Sequence, residues 1–155
     1  MKRNNNELKI IKMENEGCIM TYLQFLQDVI SRMANNSSQI KVLITAIYTI
    51  FTTILVGINK FKEYWWIGLI ITFIGMLMDA YYLALERMYR DKYNNFVNGL
   101  KGNRINAKEI FNMNPKSTKL KFEIFAVMIE SFNSFSICGF YILFIVITIL
   151  LKIIW

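Results

Sequence analysis

The residues with chemical potential are acids and tyrosines set in or beside apolar sequence. Between Met78 and Tyr93 the chain carries Asp79, Tyr82, Glu86, Arg90 and Tyr93 at spacings of three and four, one face of a helix. Asp79 falls near the end of an apolar run of membrane length. A carboxylate turned towards acyl chains is costly, so this face must meet other helices or an aqueous cavity. Two chemistries fit. Asp79 can bond polar side chains of a neighbouring helix, with Arg32 or Asn36 as the candidates and Asn35 in the same polar patch, and so lock two helices together. Alternatively, Asp79 and Glu86 can line a cation-attracting vestibule in an oligomer. Glu86 and Arg90 are also in the favourable order for an i,i+4 ion pair.

Catalysis finds little to build on. The chain contains no His, which removes imidazole acid–base work, His-containing zinc sites and Ser-His or Cys-His nucleophile pairs. A paired-carboxylate catalytic site lacks groups that would activate water or bind a substrate. Cys18 and Cys138 form no C-x-x-C pair and read as packing residues or free thiols. The sequence therefore predicts no enzyme, no cofactor and no metal site. Gly99-Leu100-Lys101-Gly102 is too slight a phosphate motif to carry a nucleotide or nucleic-acid role.

The elements that must position these residues follow from hydropathy. The 155 residues are 55% hydrophobic with a net charge of +7, which is unusual for a soluble domain. The sequence predicts an all-α integral membrane protein of about three transmembrane helices, plus amphipathic helices at the N-terminal side and before the third span. The spans are expected at about 42–58, 64–85 and 135–151. The first, at seventeen residues, makes about 26 Å of helix, slightly short of a hydrocarbon core of roughly 30 Å. Asn59 to Glu63 then reads as a tight connection, making the first two spans an antiparallel hairpin, and Tyr64-Trp65-Trp66 suits an interfacial belt. Trp155 suits the same role at the other end of the third span.

Outside the spans, residues 1–20 read as a polar arm, disordered or loosely helical, and no cleaved signal peptide is expected. Thr21 to Ala34 repeats apolar residues at helical spacing, with Thr21 as its N-cap. Asn35-Asn36-Ser37-Ser38 is expected to kink or break the helix, because these side chains compete for the backbone. The connection 86–134 is basic. Asn94, Asn95, Asn98 and Gly99 break its periodicity, a short helix is predicted at 106–111, and Asn114-Pro115 marks a turn. Phe122 to Asn133 is again amphipathic. Lys and Arg gather in the first 41 residues and in 86–123, so both regions are predicted to be cytoplasmic, with an N-terminus inside and the basic segment facing anionic lipid.

Two stretches resemble a group of short, mostly uncharacterised bacterial multi-span membrane proteins. They are Phe25-Leu26-Gln27-Asp28-Val29-Ile30-Ser31-Arg32-Met33-Ala34-Asn35-Asn36-Ser37 and Met78-Asp79-Ala80-Tyr81-Tyr82-Leu83-Ala84-Leu85-Glu86-Arg87-Met88-Tyr89-Arg90-Asp91-Lys92-Tyr93. The opening of the last span, Ser134-Phe135 to Gly139-Phe140-Tyr141, is similar more weakly. Some members of that group are encoded beside anti-phage systems. The resemblance implies a bacterial inner-membrane protein, a defence role and a cytosolic defence-system partner. Both matched stretches fall at one membrane edge, which suggests that they touch. The expectation is a non-enzymatic effector or accessory subunit that self-associates as a homo-oligomer and perturbs the membrane. The alternative is an anchor recruiting a cytosolic partner; a holin-like role is less favoured.

Overall fold

The computed structural model describes residues 5–101, 120–132 and 134–154. The protein is all-α, with helices α1 (Asn5–Gly57), α2 (Phe61–Lys101), α3 (Leu120–Phe132) and α4 (Phe135–Ile154). Three helical segments are long and apolar enough to cross a membrane: Glu16–Gly57, Phe61–Leu100 and Phe135–Ile154. The basic segment beyond Lys101, with the expected helix at 106–111 and the Asn114-Pro115 turn, lies outside the described residues, as does Trp155.

The α1–α2 hairpin closes over three residues. Asn59 adopts φ 54°, a left-handed conformation that asparagine tolerates better than most residues. The Lys60 amide donates to Leu55 O (3.0 Å) and the Asn59 amide to Val56 O (3.1 Å), which caps the carbonyls left open where α1 ends. Phe61, buried, starts α2. The Lys60 ammonium bonds Glu63 at 2.8 Å, and that bond holds the amine above its usual range.

In the membrane-length part, α1 and α2 come close at Gly75. A Cβ there would lie 2.6 Å from Ile44 Cγ1. Around this approach Ile40, Ile44, Ala80, Ile137 and Tyr141 form a buried cluster. α2 is the central helix, packed on α1, α3 and α4, while the α1 and α4 backbones stand apart and only side chains bridge them. Threonine hydroxyls within the span bond back to their own helix, as Thr45 does to Lys41 O (2.7 Å) and Thr49 to Thr45 O (2.8 Å). The outer faces are apolar: Val42, Ile50, Ile54, Phe73, Ile74, Ile142 and Leu150 are all exposed in the single chain. Such a surface suits acyl chains and not water.

Past this bundle, α1 and α2 run on together as a two-helix stalk. The sixteen residues 86–101 add about 24 Å to α2. Tyr22, Leu26 and Phe96 are its buried core, with Ile19, Leu23, Tyr89, Tyr93 and Leu100 around them. The Tyr22 and Phe96 rings meet edge to face at 4.8 Å.

Three local expectations are corrected. α1 is already helical from Asn5, the helical of the two alternatives for the polar arm, so Thr21 is not an N-cap but an interior residue whose hydroxyl bonds Gly17 O (2.9 Å). Asn35 to Ser38 do not break α1. Ser37 spends its hydroxyl proton on a partner in α2 instead of on its own backbone. Asn94 to Gly99 likewise stay helical, because Phe96 and Leu100 pack into the stalk and outweigh poor local propensity. The amphipathic segment 21–34 is thus an interior stretch of α1, and the segment before the last span is α3.

Candidate functional site

Asp79 is completely buried, 0% exposed, in the middle helix. Two residues one turn apart on α1 meet its carboxylate. The Ser37 hydroxyl donates to Oδ1, and the Lys41 ammonium lies 3.4 Å from Oδ2. Lys41 also donates to Ser136 Oγ at the start of α4 (2.8 Å) and stands 6.0 Å from the Phe140 ring centre. Tyr141 of α4, 1% exposed, is an electrostatic neighbour of the same carboxylate. Ser37, Lys41, Asp79, Ser136 and Tyr141 therefore draw three helices into one polar cluster.

The local sequence explains how it forms. An unbroken α1 places Ser37 and Lys41, four apart, on one face. Asp79 lies four residues beyond Gly75, the point of closest approach to α1. Tyr141 belongs to the buried stripe Ile137, Tyr141, Phe144 and Thr148 of α4. Two turns on, that stripe makes a second polar contact, Tyr48 Oη to Thr148 Oγ1 at 2.6 Å. Its surroundings are hydrophobic, with the Tyr48 and Phe144 rings edge to face at 4.8 Å.

The residues singled out in the sequence divide into three groups. Asp79 is the centre of the cluster, but its expected partners are not the ones found. Arg32 and Asn35 are exposed, and Asn36 is half-buried in an open groove of about 390 Å³ with Gln39, Ile40, Leu43, Met78 and Tyr82. Tyr82 packs against the bundle core from that groove. Glu86, 9% exposed, pairs with Arg90 at 2.7 Å in the expected i,i+4 manner. Tyr93 accepts a hydrogen bond from the Gln27 amide (3.2 Å). Gln27, Ile30, Arg90, Tyr93 and Asn94 line a second cavity of about 260 Å³. The two stretches that share the resemblance do touch, through Ser37 with Asp79 and Gln27 with Tyr93.

Sequence reasoning missed Ser37, Lys41 and Tyr141 around Asp79, and Ser136 as a partner of Lys41. A usable signal existed for the first two: a serine and a lysine four apart at the edge of an apolar run, on the helix that must pair with α2. No such signal marked Tyr141, because an apolar span does not announce which face it buries.

The arrangement neutralises a carboxylate inside a bundle whose outside is apolar. It can hold helices in register, and it can move a proton between a carboxylate, an ammonium and a hydroxyl. Compared with known proteins, the chain matches no family model, no curated protein and no solved structure.

Proposed function

We propose that this chain is a non-enzymatic bacterial inner-membrane effector or accessory subunit, self-associating and perturbing the membrane, with anti-phage defence as its setting. The observation that carries this reading is the Lys41–Asp79 pair, in which the carboxylate is fully buried. Ionisable groups at membrane depth are expensive, and they mark ion paths, proton relays or switching contacts more often than simple packing. Apolar outer faces on every span leave the chain free to meet lipid or further copies of itself. The excess of Lys and Arg at the stalk end supports a cytoplasmic stalk and N-terminus. Inducing the chain in bacteria and following a membrane-potential dye tests the reading. Depolarisation that is lost with Asp79→Leu supports it; unchanged polarisation with and without neighbouring gene products overturns it.

One observation favours a second reading, an anchor that recruits a cytosolic partner. The stalk extends well past the length a bilayer needs and keeps a core of its own. Crosslinking in native cells separates the two. A stalk-linked soluble partner favours the anchor, and homo-oligomer alone favours the effector.

A further inference from the structure

The Asp79 cluster contains more than a helix lock requires. Asp79 Oδ2 and Tyr141 Oη are both buried, and neither has a hydrogen-bond partner. The two side chains are nevertheless electrostatic neighbours. Lys41 is only loosely committed to the carboxylate. Its 3.4 Å separation from Oδ2 is long for a charge-assisted bond, typically about 2.7–2.9 Å, and its shorter contact is to Ser136. The Lys41 side chain is 22% exposed against 0% for Asp79, so it reaches from the buried carboxylate to the rim.

The ligand that suits a buried carboxylate oxygen within reach of an ammonium, without needing a cavity, is a proton. A metal cation would compete with the lysine ammonium for the same oxygen. We propose that Asp79, Lys41 and Tyr141 form a proton-exchange site, in which a proton reaches the buried carboxylate by way of Lys41 and is held there against the Tyr141 oxygen. The step conserves charge. Lys41 Nζ gives a proton to Asp79 Oδ2, leaving a neutral amine and a neutral carboxylic acid. The new O–H donates to Tyr141 Oη, the reverse of the ionised state, in which the phenol hydroxyl is the donor and the carboxylate the acceptor. At the rim the amine regains a proton from water, which leaves the cluster one charge more positive. Return of the carboxylic acid proton to the amine and its release to water reverse the sequence. Among the described residues, the titratable groups beside Asp79 are Lys41 from α1 and Tyr141 from α4. On α3, Glu130 is exposed, and on α2 itself Glu86 is held by Arg90 two turns away.

This inference rests on the reading that the cluster is the working centre of a membrane protein, and it names that centre's ligand. The test is infrared difference spectroscopy on the full chain in lipid vesicles across a pH jump. A carboxylic acid carbonyl band should grow as pH falls, disappear with Asp79→Asn, and persist at a shifted frequency with Asp79→Glu. Tyr141→Phe should shift the band by removing its hydrogen bond, and Lys41→Met should slow its appearance. Absence of any Asp79-dependent band overturns the proposal, as does a band indifferent to both Tyr141→Phe and Lys41→Met. The Glu variant separates loss of the site from loss of the fold. A dye measurement on the same vesicles separates the two readings: the band without depolarisation removes membrane perturbation and keeps the proton site, and depolarisation without the band does the reverse.

Discussion

The stalk and the membrane-length bundle use the same two helices in opposite ways. In the stalk, Tyr22, Leu26 and Phe96 are inside, and charged residues such as Arg32, Arg90 and Asp91 are outside. In the bundle, Asp79, Thr72, Thr148 and Ser37 are inside beside Ile40, Ile44 and Ile137, and the outer face is predominantly apolar, with residues such as Ile50, Ile54, Phe73 and Ile74 exposed. The inversion follows from the solvent. Water drives apolar groups together in the stalk, whereas lipid gives no such drive, so close packing and polar contacts must hold the bundle. The difference teaches that one helix can be specified by two rules in succession, with the change of rule falling between Arg32 and Ser37 on α1 and between Asp79 and Glu86 on α2.

Breaking the bundle's rule should have the largest effect. Lys41→Met leaves Asp79 buried without its counter-charge and should cost about 3–5 kcal/mol of unfolding free energy in detergent or bicelles. Asp79→Leu should cost less, because the stranded lysine is partly exposed, keeps Ser136 and can extend to the rim. The double variant should be more stable than Lys41→Met alone. A denaturant titration of the three proteins in which Asp79→Leu proves the most damaging would show that the carboxylate does more than neutralise the lysine. In either case Asp79→Leu should disturb assembly and toxicity more than Glu109→Leu.

The stalk should break by the other rule. Leu26 is 0% exposed, and Leu26→Ala should remove about 2–5 kcal/mol of local stability. The damage should stay local, since the stalk core and the bundle core are separate clusters. Hydrogen exchange read by mass spectrometry should show residues 19–30 and 89–100 opening while 42–56 and 135–150 keep their protection. Equal opening of both regions would mean that the stalk and the bundle unfold as one unit.

This division explains what was legible beforehand. Hydropathy locates all three spans because lipid demands an apolar exterior, and the expense of a charge in lipid marks Asp79 without any structure. The hairpin is legible from the polar Asn59-Lys60. Partners are harder. Treating Asn35 to Ser38 as a break uncouples Lys41 from the helix above it, and the register that faces Ser37 and Lys41 to Asp79 is lost. The same error ends α2 near Asn94. Local propensity disfavours helix at both places, and in each a tertiary contact outweighs it: Ser37 to Asp79 in the bundle, Phe96 to Tyr22 in the stalk. Tyr141 was out of reach for a different reason, because in a span that is apolar on all sides the buried face is set by neighbours and not by its own pattern.

Two smaller effects sharpen the comparison. Bundle packing depends on backbones approaching at Gly75, where a Cβ would press on Ile44, a branched and stiff side chain. Gly75→Ala should therefore destabilise the bundle by about 1–3 kcal/mol, while Gly139→Ala, with nothing within 4 Å, should not. Thermal melts of the purified variants would show it, and a stable Gly75→Ala would mean that the helices do not approach this closely. The smallest effect belongs to the Lys60–Glu63 pair in the connection. Both side chains are at least half exposed, so water screens the attraction and the bond mainly raises the lysine's proton affinity. Glu63→Gln should leave the melting temperature unchanged. The same kind of ion pair thus matters at Asp79 and not at Glu63, and the reason is burial: at Glu63 solvent replaces the lost partner, and at Asp79 it cannot reach.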